Sequence, residues 1–234
     1  MYDNWIENVL KEQYQFVRKL KDSEKSQIYV YRHKELGKDL VKRSVKGSGE
    51  VFMILRSLSH PNIANVYDAV KTKDGFIVLE EYVEGQTVYE YLQDSLYSPT
   101  GVKRVVSSLC DALDFLHKNK IIHKDIKPEN VMIDNRGNVR LIDFDAARVY
   151  KPYQSGDTRM IGTTGYAAPE QYRLNQTDER TDIYALGVLM NVMLTGEPPE
   201  RKLYSGKLKK VIIKCTQTIP DNRYQNVTEL KKYL

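Results

Sequence analysis

Residues 123–130 read His-Lys-Asp-Ile-Lys-Pro-Glu-Asn, and Ile142-Asp143-Phe144-Asp145 follows shortly after. Between them lie two apolar runs, 131–133 and 139–142, split by Asp134-Asn135-Arg136-Gly137-Asn138. Two short runs around a Gly-containing polar turn predict a β-hairpin. Such a hairpin carries Asn130 and Asp143 side by side at its open end. An amide oxygen and a carboxylate held there are hard-oxygen donors, suited to Mg²⁺ on a nucleotide. Asp125 then stands where it can accept a proton from a hydroxyl, and Lys127 where it can neutralise a phosphoryl group in transfer.

These residues resemble the catalytic loop and metal-binding motif of the eukaryotic-type (Hanks-type) Ser/Thr protein kinases, whose patterns are H-R-D-x-x-x-x-N and D-F-G. Further segments follow in that family's order. Residues 162–170, Gly-Thr-Thr-Gly-Tyr-Ala-Ala-Pro-Glu, resemble the end of the activation loop, and 182–187 resemble the start of the central C-lobe helix. Arg223 matches the arginine that pairs with the glutamate at Glu170. Residues 58–63 and 79–85 resemble the end of helix αC and the hinge. The likeness runs from about Val17 to Leu234, and an ordered set of motifs is far more specific than any one of them.

The resemblance implies an α+β, two-lobed kinase-like fold with a small β-rich N-lobe and a helical C-lobe. The divisions expected are a helical extension over 1–15, the N-lobe over 16–83 and the C-lobe over 84–234. In Tyr2–Gln15 the apolar Trp5, Ile6, Val9 and Leu10 have helical spacing. Strands are predicted over 16–21, 28–32, 40–45, 63–71 and 75–82. Helices are predicted over 50–58, 87–93, 100–119, 181–194, 207–215 and 227–234.

Composition narrows the class. A net charge of +5 is spread along 234 residues. The lysines at 207, 209, 210 and 214 alternate with apolar residues at helical spacing, which reads as a solvated helix face and gives no nucleic-acid partner. Cys110 and Cys215 fall in apolar helical stretches and read as buried thiols in a reducing compartment. No apolar run reaches 18 residues, and Met1–Leu10 carries acids where a signal peptide needs cations. The expectation is a chain without a membrane segment, cytoplasmic or the cytosolic domain of a longer protein.

The resemblance also implies ATP and Mg²⁺ as cofactors and a protein bearing Ser or Thr acceptors as substrate. Asp125 and Lys127 are the expected catalytic pair, with Thr163 beside Lys127. Asn130 and Asp143 are the expected metal ligands. Lys42 matches the lysine that clamps the α- and β-phosphates. The carbonyl of Glu81 and the amide of Val83 would read adenine, with Ile28, Leu40 and Met132 enclosing the base. His123, Phe144, Asp182, Glu170 and Arg223 match structural positions.

The chain also departs from the family pattern. The glycine-rich loop is replaced by Lys21-Asp22-Ser23-Glu24-Lys25-Ser26-Gln27. Glu50 follows Lys42 too closely for the usual lysine–αC glutamate pair. Leu40 stands where a small residue is usual, Glu80 where the back of the pocket is gated, Asp145 for glycine, and Lys124 for arginine. A substrate-docking helix after 196–199 is expected to be trimmed away. Besides a weak Ser/Thr kinase, two alternatives remain open at this point: a pseudokinase acting as a binding module, and a small-molecule phosphotransferase of aminoglycoside-kinase type.

Overall fold

The computed structural model describes residues 2–22, 26–46, 48–151, 163–172 and 177–234. The chain divides into two compact units, Met1–Val83 and Glu84–Leu234.

In the first unit, helix α1 (Tyr2–Gln13) precedes five antiparallel strands: β1 (Tyr14–Asp22), β2 (Ser26–His33), β3 (Asp39–Lys46), β4 (Val66–Lys71) and β5 (Gly75–Glu81). They form one sheet in the order β1-β2-β3-β5-β4. Successive side chains on a strand point to opposite faces, and directly paired residues share a face. The unbroken registers Tyr31↔Leu40, Tyr29↔Lys42, Lys42↔Leu79 and Leu40↔Glu81 therefore place Tyr29, Tyr31, Leu40, Lys42, Leu79 and Glu81 on one face. The registers Ile28↔Arg43, Val30↔Val41, Arg43↔Val78 and Val41↔Glu80 place Ile28, Val30, Val41, Arg43, Val78 and Glu80 on the other. Helix α1 covers the first face: Ile6 and Leu10 are buried in one cluster with Leu40 and Ile77, and Tyr31 and Leu79 pack against it.

Helix α2 (Glu50–Leu55) lies against β4 and buries Val51, Phe52 and Leu55. It is shorter than the 50–58 expected. The Ser57 amide donates to Ile54 O at 3.1 Å and that of Leu58 to Leu55 O at 2.9 Å, so the chain tightens into three-residue turns ahead of Pro61.

In the second unit the amphipathic pattern gives α3 (Val88–Asp94) and α4 (Pro99–Lys118). A reciprocal Thr87–Glu90 capping box starts α3, and Ser98 with proline in the first turn starts α4. Helix α5 (Pro169–Tyr172) is a single turn. Helix α6 (Glu179–Thr195) is apolar nearly all round and buried from Thr181 to Leu194, as expected of a central helix. Gly187 lets it approach the helix α7 (Lys209–Cys215), since a Cβ there would lie 2.5 Å from that of Cys215. Helix α8 (Val227–Lys231) closes the chain and packs on α4. Cys110 and Cys215 are buried free thiols, and burial pushes the Cys110 thiol up to about 12.

No helix lies between α6 and α7 among the described residues, as the shortened sequence there predicts. The fully buried amide of Asn191 holds that connection instead. Its Nδ2 donates to the carbonyls of Glu197 and Lys202, each at 2.7 Å, and its Oδ1 accepts from the Tyr204 amide at 2.9 Å.

The catalytic-loop hairpin forms from β8 (Val131–Asp134) and β9 (Val139–Leu141), and β6 (Gly85–Thr87) joins it in a three-stranded sheet. A two-residue strand β7 (Ile121–Ile122) pairs with β10 (Arg148–Val149). Strands this short carry no period that a sequence reading can detect. No described helix is long and apolar enough to cross a membrane.

Candidate active site

Asp182, at the start of α6, organises the 123–130 loop. It is fully buried, and burial alone would raise its pKa; the hydrogen bond from His117 at 2.8 Å, with the Lys124 amide, holds it below the usual carboxylate range. Its two oxygens accept from the amides of His123 at 3.0 Å and Lys124 at 2.8 Å. These bonds fasten the backbone immediately before Asp125. Lys124 takes φ +68°, a conformation an L-residue adopts only when its surroundings impose it. Gln171 adds a brace, donating from Nε2 to Lys124 O at 3.0 Å.

Asp125 sits in a closed set of polar contacts. Its Oδ1 accepts from the Thr163 hydroxyl at 2.7 Å. Its Oδ2 meets Lys127 Nζ at 2.7 Å, and Lys127 also donates to the Thr163 hydroxyl oxygen at 2.7 Å. The Asn130 amide donates from Nδ2 to Asp125 O at 2.8 Å and to Oδ2 at 3.0 Å. The carboxylate is thereby fixed in orientation while remaining partly accessible.

Asn130 ends a single 3-10 turn, Pro128–Asn130. Because its nitrogen is committed to Asp125, its Oδ1 is turned away from that carboxylate. The Ile142 amide donates to Asn130 O at 3.0 Å, so the hairpin brings Asn130 to within one residue of Asp143, as the sequence implies. Asp143 has φ +65°, and its Oδ1 accepts from the Asp145 amide at 3.2 Å. One amide oxygen and one carboxylate suit Mg²⁺, which keeps several waters and needs few protein ligands.

His123 is completely buried beside this motif, and burial lowers its pKa. Nδ1 accepts the Asp125 amide at 3.3 Å and Nε2 lies 3.3 Å from Ile142 O, which matches a neutral ring protonated at Nε2. Phe144 is buried and meets the His123 ring edge-on at 5.1 Å. Phe144 thus packs inward, and Asp145 occupies the place of glycine without displacing it.

Glu170 and Arg223 form a two-pronged ion pair at 2.7 and 2.8 Å, with Thr181 donating to Glu170 at 3.0 Å. Arg223 also donates to the carbonyls of Gln217, Arg180 and Thr218. This network is structural, as its motif positions imply. Ser155 and Thr158, the positions where autophosphorylation is expected, lie outside the described residues.

In the first unit the structure does not bring the expected nucleotide residues together, and two of them need correction. Ile28 lies on one face of the sheet; Leu40 and Lys42 lie on the other. Leu40 is buried under Ile6 and Leu10 of α1. The Lys42 ammonium is bonded to Glu7 of α1, and its side chain is 10% exposed. Any ligand meeting Lys42 or Leu40 there would first have to displace α1. Glu50, expected as the doubtful partner of Lys42, is exposed at the first residue of α2.

Sequence reasoning missed Glu7 and a second pair: Arg43 Nε donates to Glu80 Oε2 at 3.0 Å, both side chains less than 10% exposed. With Lys42 and Arg43 adjacent, the sequence offers a cation to either face, and only strand register distinguishes them. In the hinge, the Glu81 carboxylate accepts from the amide and side chain of Asn65 at 3.0 and 2.8 Å, leaving its role to the backbone, and Val83 is buried. Met132 lies in the second unit, paired with Arg140 and Thr87.

The loop, the metal motif, the Glu170–Arg223 pair and the antiparallel N-terminal sheet define a protein kinase fold. The family model described as protein kinase domain matches residues 13–233, and the chain belongs to that family. It is 34% identical over 206 residues to the serine/threonine-protein kinase PknB of Mycobacterium leprae, covering 75% of this chain and 33% of that protein. It is 30% identical over 200 residues to PrkC of Bacillus subtilis, covering 75% and 31%. The serine/threonine-protein kinase CLA4 of Eremothecium gossypii is 31% identical over 193 residues, covering 78% and 24%. The chain thus spans at most about a third of the length of these relatives.

Proposed function

We propose that this chain transfers the γ-phosphoryl group of Mg-ATP to Ser or Thr hydroxyls of a protein substrate. The observation that carries this reading is the Asp125–Lys127–Thr163 set, in which one carboxylate, one cation and one hydroxyl hold each other at 2.7 Å. Asp125 orients the attacking hydroxyl and receives its proton as the new O–P bond forms and the bond from the γ-phosphorus to the β-phosphate oxygen breaks, releasing ADP. Lys127 balances negative charge on the transferring group, and Thr163 fixes both. Phosphoryl transfer asks the protein chiefly for such positioning and neutralisation.

Asn130 and Asp143 would hold Mg²⁺, which when bound neutralises charge on the phosphates and fixes their geometry. The Glu81 carbonyl and Val83 amide read the adenine edge. Leu40 and Lys42 have no part in this reading, because α1 occupies their face. Mass spectrometry of the purified chain and a generic protein acceptor after incubation with Mg-ATP tests it. Phosphoserine or phosphothreonine is the expected product; no phosphate on either protein would refute the proposal.

A further inference from the structure

The departures at Glu80 and Glu50 have a common explanation in strand register. Two adjacent cations on β3 are claimed by two carboxylates on opposite faces of one sheet: Lys42 by Glu7, Arg43 by Glu80. The Lys42 face is filled by α1 from Leu40 to Ile77. At the hinge end of the sheet, Leu40 pairs with Glu81, so a base read by the Glu81 and Val83 backbone cannot lie on that face without meeting Ile6 and Leu10. The opposite face carries Val30 and Val41 nearest that end, and Ile28 pairs with Arg43 further along. Arg43 follows Val41 on that face, two residues or about 7 Å along the strand.

We propose that Arg43, oriented by Glu80, is the first unit's cation for the nucleotide phosphates, and that Lys42 is a strap holding α1. The inference rests on the ATP-dependent reading given above. Glu80 is then not an obstructing charge but the orienting carboxylate that Glu50 does not provide. Arginine suits the task differently from lysine: its planar fork can keep one edge on Glu80 while another edge meets a phosphate oxygen. Glu80 is a positioning residue here, acting only through Arg43.

The test measures Mg-ATP and adenosine affinities by calorimetry for the wild type, Lys42→Met, Arg43→Met, Arg43→Lys and Glu80→Gln. It also records thermal unfolding and transfer to casein. A phosphate-directed cation changes ATP affinity but not adenosine affinity; a purely structural ion pair changes both alike. Arg43→Met should weaken Mg-ATP about tenfold or more with adenosine within about twofold, and Arg43→Lys should recover part of the loss. Glu80→Gln should shift the ATP-to-adenosine ratio in the same direction. Lys42→Met should keep that ratio and lower the unfolding temperature.

If Arg43→Met fails to fold, the Arg43→Lys ratio decides alone: an unchanged ratio overturns the inference. Loss of ATP affinity in Lys42→Met, with Arg43→Met like wild type, also overturns it while leaving the kinase reading intact. A wild-type chain that neither binds Mg-ATP nor modifies casein overturns both.

Discussion

Thr163 donates its hydroxyl hydrogen to Asp125 at 2.7 Å and accepts from Lys127 on the same oxygen. A residue from the end of the activation segment therefore sets the rotamer of the proposed proton acceptor. Removing the hydroxyl leaves Asp125 held by Lys127 and Asn130 but without its restraint at Oδ1. Thr163→Val should lower kcat about ten- to a hundredfold with KM for ATP nearly unchanged, and Thr163→Ser should recover most of it. Steady-state kinetics check this; an unchanged kcat in the valine variant would count against the role.

The Glu170–Arg223 pair should matter for stability and not for nucleotide. Arg223 is fully buried at its side chain and Glu170 nearly so. Glu170→Ala strands a buried guanidinium and should cost about 3–5 kcal/mol in urea unfolding. A cost under about 1 kcal/mol would show that water or a neighbour replaces the carboxylate.

His123 makes stability depend on pH. Its ring is buried neutral with a lowered pKa, while in the unfolded chain it takes up a proton near its ordinary value. Below about pH 6.5 the unfolded state binds more protons than the folded one, so stability falls as pH falls, by at most about 1.4 kcal/mol per pH unit from this group. The effect is absent above that range. The depressed Asp182 acts in the same direction, but only at pH values around and below its unfolded pKa, near 3.8. Urea unfolding at pH 7.5 and 5.5 should show the loss, and His123→Phe should reduce it. Equal stability of the wild type at both values would contradict a buried neutral ring.

Much of this was legible in the sequence because the second unit's chemistry is local. Asp125, Lys127 and Asn130 lie within one loop, and a five-residue polar turn predicts the hairpin that brings Asn130 toward Asp143. The first unit was harder for a physical reason. In Leu40-Val41-Lys42-Arg43 both faces of the strand carry one apolar residue and one cation, so composition cannot say which face is which. Register against β2 and β5 decides it, and register is set by pairing between distant residues. The helical spacing of Ile6 and Leu10 announced an amphipathic α1, but not that Glu7 on it would take the lysine of β3.

Helix α1 should contribute directly to the stability of the first unit. Leu10 is 2% exposed beneath the sheet. Leu10→Ala should cost about 2–5 kcal/mol through lost transfer energy and the cavity left behind. Proteolysis between α1 and β1 should accelerate in that variant. Unaltered unfolding would mean that the helix is merely laid on the sheet.

The most direct measurement compares phosphoryl transfer and Mg-ATP affinity in the wild type and Asp125→Ala. In the proposed reading Asp125 faces the acceptor hydroxyl, while Asn130 and Asp143 would serve the metal. The account predicts transfer to Ser or Thr in the wild type, a loss of about a hundredfold or more in Asp125→Ala, and nucleotide affinity within about twofold. Wild-type turnover in Asp125→Ala would contradict it.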